Sequence, residues 1–149
     1  MKKILIAGGS GLLGTSLTSL AVKKGYKVLS TFHSKIRNKK LKKYYKKFNF
    51  LDMKDCLKAT KNIDFAILCA VDASGVGNMI TGNLYNQNLK NTILRSNFFE
   101  ACKINNIKNI VWVSSSTVYQ PKKGLISEKE LNLNLKPYNI YGSIGLAYR

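Results

Sequence analysis

An apolar run from Ile4 to Ala7 gives way at once to Gly8-Gly9-Ser10-Gly11-Leu12-Leu13-Gly14. A run of four apolar residues bounded by glycine suits a strand buried in a parallel sheet better than a helix, so a strand is predicted over residues 2–7. Beyond the glycines, Leu12, Leu13, Leu17, Leu20 and Ala21 recur at helical spacing. This predicts a helix over 12–24 with Gly25 as its C-terminal cap. Within the turn each glycine has a reason. Gly8 permits a tight turn, Gly11 lets a pyrophosphate approach the backbone, and Gly14 allows close helix packing, while the helix start offers unpaired N–H groups and the positive end of its dipole. A glycine pattern alone is a weak signal. Set between a strand and a helix near the N-terminus, it predicts a dinucleotide-binding loop made of Gly8, Ser10, Gly11, Leu12, Leu13 and Gly14, against the alternative of a chance glycine-rich turn.

The rest of the chain repeats the alternation. Strands are predicted over 26–32, 47–50, 63–71 and 109–114, that over 63–71 as a near-continuous apolar run buried on both faces. Helices are predicted over 53–60 and about 84–105, the longer one with Leu89, Ile93, Leu94, Phe98 and Ala101 as its apolar positions, and a last helix begins after Pro137. A polar, glycine-rich loop covers 72–83, and 121–136 is irregular. Strands alternating with helices specify an α/β fold, a Rossmann-type doubly wound parallel sheet of about five strands, with ligands beyond the C-terminal ends of the strands. No internal repeat or linker divides the 149 residues, so 1–149 is read as one NAD(P)-binding domain.

Composition decides what the charge means. The chain carries 25 Lys plus Arg against 7 Asp plus Glu, a formal net charge of +18, yet 45% of it is hydrophobic. That is a folded core and not a disordered basic tail. Of the cations only Arg37, Arg95 and Arg149 are arginine. Arginine supplies the bidentate fork of base and phosphate recognition, so most of the charge is read as solvated lysine and nucleic acid is not the expected partner. Eight cations between Lys35 and Lys47, interleaved with Leu41, Tyr44 and Tyr45, form a basic helix or a loop suited to an anionic partner or a cofactor phosphate. Cys56, Cys69 and Cys102 are far apart and odd in number, with no zinc spacing, which fits reduced thiols of a cytoplasmic protein. The N-terminal apolar run is too short for a signal-peptide core or a membrane span.

Two further sites follow from strand ends. The segment Thr31-Phe32-His33-Ser34-Lys35 offers no acid to hold the ribose 2′-hydroxyl of NAD, whereas His33 and Lys35 suit the 2′-phosphate of NADP, so NADP is favoured over NAD. The alternative is that both are solvated loop residues. After the fifth predicted strand, Ser114-Ser115-Ser116-Thr117-Val118-Tyr119 places hydroxyls where they face the cofactor crevice, although a serine run after a strand is more often a turn. Tyr138 and Tyr141 follow on the last predicted helix.

These residues resemble the extended short-chain dehydrogenase/reductases that act on nucleotide sugars, the NAD-dependent epimerase/dehydratases. The glycine spacing is similar to that family's cofactor loop, and Asp52-Met53 to the acidic–hydrophobic pair that meets adenine. Asp64 to Ala70 resembles its fourth strand, which places Ala70 beside the cofactor. Asn91, Asn97 and Ala101 fall at its Asn-x5-Asn-x3-Ala spacing. The segment Ser114 to Tyr119 resembles its Ser-Ser-x-x-Val-Tyr segment, which implies Ser115 as the hydroxyl that steadies the reacting oxygen. Gly75-Val76-Gly77, Asn83 and the Asn91 helix look most like the GDP-L-fucose synthase branch, NADPH-dependent epimerase and reductase enzymes.

The resemblance departs at the catalytic helix. The family pairs Tyr with Lys four residues on, yet Tyr138 is followed at that spacing by Gly142 and Tyr141 by Gly145. Tyr141, with Tyr138 as the alternative, is the expected general acid/base. The family is about twice this length, and its second half supplies the last strands and the sugar-nucleotide pocket. The chain is therefore read as the cofactor-binding half of a nucleotide-sugar epimerase/reductase, with a nucleotide-sugar substrate only when completed and a homodimer implied by resemblance. The competing reading is a dinucleotide-binding or regulatory protein that has lost the Tyr-x-x-x-Lys chemistry. An uncovered sheet edge predicts poor solubility or obligatory association.

Overall fold

In a computed structural model, which describes residues 1–72, 84–132 and 134, the chain forms a five-stranded parallel sheet. The elements run β1 (Lys3–Ala7), α1 (Leu12–Lys23), β2 (Lys27–Phe32), a 3-10 helix (Lys39–Tyr44), β3 (Tyr45–Lys47), α2 (Met53–Thr60), β4 (Phe65–Leu68), α3 (Leu84–Ile104) and β5 (Asn109–Trp112). Strand order is β3-β2-β1-β4-β5. The first strands step to one side of β1 and the later ones to the other, so the chain reverses direction between β1 and β4. That crevice is where a doubly wound sheet binds ligands.

The helix ends are set by local chemistry. After α1, Gly25 takes φ +78, Tyr26 N–H donates to Ala21 O, and Gly25 N–H donates to Val22 O. This is the paired hydrogen-bond pattern of a left-handed helix cap. Asn106, at φ 56, closes α3 in the same way, with Ile107 N–H donating to Cys102 O. Asp52 caps α2 by accepting the Lys54 N–H at 2.8 Å.

One face of the sheet holds the main core. Leu5, Ala7, Ala66 and Leu68 pack with Cys56 and Ala59 of α2 and with Phe98, Ala101 and Cys102 of α3. Phe50, Phe98, Phe99 and Trp112 meet edge to face, with centroids 5.8, 5.8 and 6.4 Å apart. Such contacts add roughly 0.5–1.5 kcal/mol each beyond area burial. On the other face α1 packs against β1 and β2.

Three expectations need correction. The third strand lies at Tyr45–Lys47 and not at 47–50, because buried Tyr45 pairs opposite Ser30 and Phe48 N–H makes the last bond to Phe32 O. The basic block is thus a 3-10 helix leading into an edge strand. β4 is not buried on both faces, since Phe65 and Ile67 are only half-buried. On α3, Leu89 and Ile93 are exposed while Asn88 and Asn91 are buried. Asn91 is held inward by hydrogen bonds to the Asp72 backbone. The predicted loop over 73–83, with Gly75, Gly77 and Asn83, and the last predicted helix, with Tyr138 and Tyr141, lie outside the described residues.

Candidate cofactor site

The glycine loop is built from the sheet upward. Gly8, at φ +81, sits where an added Cβ would stand 2.5 Å from Ala70 N, so the first glycine serves close strand approach as well as the turn. At Gly14 a Cβ would stand 2.3 Å from Gly8 O, and the helix could not close on the loop. Gly9 carries an equal demand that the glycine spacing does not mark. Its Cβ would lie 1.7 Å from Ser30 Oγ.

Gly11 is different. Its backbone is ordinary, at φ −71 and ψ 179, and a Cβ there would meet only Gly8 O, at 3.3 Å. That contact is tight but needs a shift of only a few tenths of an ångström, so packing demands glycine least at this position. What a side chain would fill is the open space above the start of α1, where Thr15 N–H is the first to reach a helical acceptor, Gly11 O at 3.0 Å. The N–H groups of Leu12, Leu13 and Gly14 precede that bond and belong to the first helical turn, which contains no acid. Leu12 is 81% exposed and Leu13 is 45% exposed, so their side chains do not close the space. A dipole end with backbone donors and no carboxylate has the chemistry that favours an anion.

Residues that sequence reading missed hold this loop in shape. Gly8 N–H donates to Thr31 Oγ1 at 2.9 Å, and Ser10 N–H donates to Thr31 O at 3.2 Å. Tyr45 Oη donates to Gly9 O at 2.9 Å from a buried position. Thr15 Oγ1 donates to Gly11 O at 2.7 Å and to Gly9 O at 3.2 Å. Thr18 and Ser30 hydroxyls are 2.7 Å apart and fully buried, and Thr18 also donates to Gly14 O. No short motif marks Tyr45 or Thr31. Their roles come from strand pairing that brings positions 21 to 36 residues apart together.

The remaining predicted residues line the same sheet edge. The exposed His33 and Lys35 follow β2, whose Thr31 C=O accepts the Ser10 N–H of the glycine loop. Asp52 is exposed and its carboxylate serves the α2 cap, while Met53 packs on the core. Asn97 Nδ2 donates to Phe50 O and Leu51 O at 3.2 and 3.1 Å, which fixes the approach to Asp52. Ala70, half-buried, backs Gly8. Beyond it, fully buried Asn91 grips the Asp72 backbone, accepting its N–H at 2.7 Å and donating to its C=O at 2.9 Å. Ser115 is exposed after β5, its Oγ accepting from Thr117 N–H and lying 2.9 Å from Thr117 Oγ1. The tyrosines Tyr138 and Tyr141 lie outside the described residues. Beside Ala70, burial pushes the Cys69 thiol above its usual range. Among the described residues there is no cluster of His, Cys, Asp or Glu that could hold a metal, and no helix is long and apolar enough to cross a membrane.

Residues 4–146 match the model of the NAD dependent epimerase/dehydratase family. The chain belongs to that family. Among curated relatives of this epimerase/dehydratase chain, GDP-mannose 3,5-epimerase of Arabidopsis thaliana is 28% identical over 159 residues, covering 97% of this chain and 40% of the relative. Among solved structures, UDP-N-acetylglucosamine 4-epimerase from Bacillus cereus is 26% identical with a TM-score of 0.74, over 99% of this chain and 52% of that one. UDP-glucose 4-epimerase from Bifidobacterium longum, in complex with NAD+ and UDP, is 25% identical with a TM-score of 0.75, over 98% and 46%. The chain thus spans about half the length of these epimerases or less.

Proposed function

We propose that this chain is the dinucleotide-binding half of a nucleotide-sugar epimerase/reductase, and that its glycine loop holds the cofactor pyrophosphate. Gly11 carries the reading. Gly8, Gly9 and Gly14 are required by the protein's own packing, whereas Gly11 keeps space open over unpaired helix N–H groups for something that is not protein. The cofactor, when bound, supplies reversible hydride exchange with a sugar carbon. In this reading Ser10, Gly11, Leu12 and Leu13 hold the phosphates through backbone donors, Asp52 and Met53 border the adenine, and Ala70 borders the nicotinamide side. Ser115 steadies the substrate oxygen, and Tyr141 or Tyr138 exchanges its proton.

NADP is the proposed dinucleotide. The observation behind it is the lack of any acid from Thr31 to Lys35, with His33 and Lys35 exposed beside the loop. NAD in the Bifidobacterium longum complex belongs to that protein. A GDP-linked hexose is the proposed substrate class, since GDP-mannose 3,5-epimerases align along 97% of the chain. In a homodimer, the exposed Leu89 and Ile93 of α3 supply the contact.

Titration with NADPH and NADH tests the reading. Gly11→Asp places a carboxylate over the donors with only the 3.3 Å contact to Gly8 O to relieve, so the variant is expected to stay folded in a thermal melt and to lose binding of both nucleotides by at least tenfold. Unchanged affinity in a folded Gly11→Asp chain overturns the proposal.

A further inference from the structure

The edge strand β3 is three residues long and pairs with β2 alone. Lys46 and Lys47 are exposed, and the 3-10 helix before the strand buries none of its residues, so over 39–47 the buried side chain is that of Tyr45. Its hydroxyl reaches past the strand it pairs with. Tyr45 Oη donates at 2.9 Å to Gly9 O, 36 residues earlier in the glycine loop. A phenylalanine ring would fill the same volume, and what the hydroxyl adds is this bond. Gly9 O belongs to the peptide whose N–H, on Ser10, donates to Thr31 O at 3.2 Å. One peptide plane of the loop is thus held at its N–H by β2 and at its C=O by β3. From α1, Thr15 Oγ1 adds a longer bond to the same oxygen, at 3.2 Å, while it donates to Gly11 O at 2.7 Å. Gly8 and Gly9 have no Cβ to restrict the backbone, so bonds from other elements set the shape of the loop before any ligand arrives.

We propose that Tyr45 is a positioning residue that makes the docking of this cationic edge and the ordering of the glycine loop one cooperative event, on the reading above that the loop holds the cofactor pyrophosphate. A loop already fixed in its binding shape loses less conformational freedom when the ligand arrives, so the Tyr45 hydroxyl raises affinity without touching the nucleotide. Linkage makes the effect reciprocal. A bound nucleotide holds Gly9 in place, Gly9 O holds Tyr45, and β3 stays on the sheet together with Lys46, Lys47 and the lysines of the 3-10 helix. The pyrophosphate is common to NADPH and NADH, so both gain by the same factor.

Nucleotide titration and amide hydrogen exchange of the whole chain test this, with exchange followed at the Phe48 N–H, which donates to Phe32 O at 3.2 Å directly after β3. In the parent chain, saturating NADPH is expected to slow exchange at Phe48 at least fivefold. Tyr45→Phe is expected to stay folded and to bind NADPH and NADH each at least fivefold more weakly. Once saturated with NADPH, it is expected to show less than twofold slowing at Phe48. Thr15→Val removes the other hydroxyl on Gly9 O but leaves the bond to β3, so it is expected to keep the fivefold slowing; this variant decides the matter if Tyr45→Phe does not fold. Unchanged affinity in folded Tyr45→Phe overturns the proposal, as does a loss confined to NADPH, equal slowing at Phe48 in Tyr45→Phe and the parent, or loss of the slowing in Thr15→Val. A parent chain that binds neither nucleotide overturns the reading of the loop itself, and the role of Tyr45 with it.

Discussion

Ser30 and Gly9 show how closely single residues are matched in this loop. Replacing Gly9 by alanine drives a methyl group into Ser30 Oγ at 1.7 Å, and Ser30 cannot swing away without giving up Thr18. Overpacking of this kind costs about 1–3 kcal/mol, so Gly9→Ala is expected to lower the urea midpoint clearly, whereas Gly11→Ala is expected to leave it nearly unchanged. Equal midpoints for the two variants would contradict the geometry. Asn91 makes a second test. Its side chain satisfies both polar groups of Asp72, and Asn91→Ala leaves them without that partner, at about 1–3 kcal/mol measured in the same unfolding experiment. Of these positions the Asn-x5-Asn-x3-Ala resemblance marked Asn91 and Asn97, while Gly9, Ser30, Thr31 and Tyr45 carried no motif. A motif records spacing along the chain, and these four act through contacts across strands.

At the scale of elements, the α2–α3 interface buries two thiols. Burial pushes Cys56 up to about 12, with Asp52, Asp55 and the neighbouring Cys102 adding to it, and burial also pushes Cys102 up to about 12. In the unfolded chain both thiols ionise near the ordinary value of 9.0. Between pH 9 and 12 the unfolded state therefore holds fewer protons than the native state, and stability falls as pH rises. Below pH 9 both states keep the protons and the effect disappears. Urea midpoints at pH 8 and pH 10 are expected to drop more for the parent chain than for Cys56→Ala, Cys102→Ala, and equal drops would refute the linkage. Element positions were largely legible, because β1, α1 and α2 each have a clear period and a capping residue. α3 was legible in length and in the facing of Leu94, Phe98 and Ala101, but not in its first half. Its outward Leu89 and Ile93 and inward Asn88 and Asn91 invert the hydrophobic rule, and only the position of Asp72 explains the inward Asn91.

At the scale of the whole molecule, the sheet order places the glycine loop, the end of β2, the Asp52 cap, Ala70 and the Ser115 turn along one edge. If that edge holds the proposed dinucleotide, NADPH at a hundred times its dissociation constant should stabilise the chain by about 2.7 kcal/mol in denaturant titrations, and NADH at the same concentration by less. Equal stabilisation would remove the NADP preference while leaving the loop assignment intact. The sequence by itself determined the alternation of strands and helices, the glycine loop and its chemistry, since these depend on residues within a few positions of one another. Tertiary structure decided which glycines the packing demands most, and that Asn91 rather than Leu89 or Ile93 turns inward on α3. Those outcomes depend on which distant segments become neighbours, and local periodicity holds no record of that.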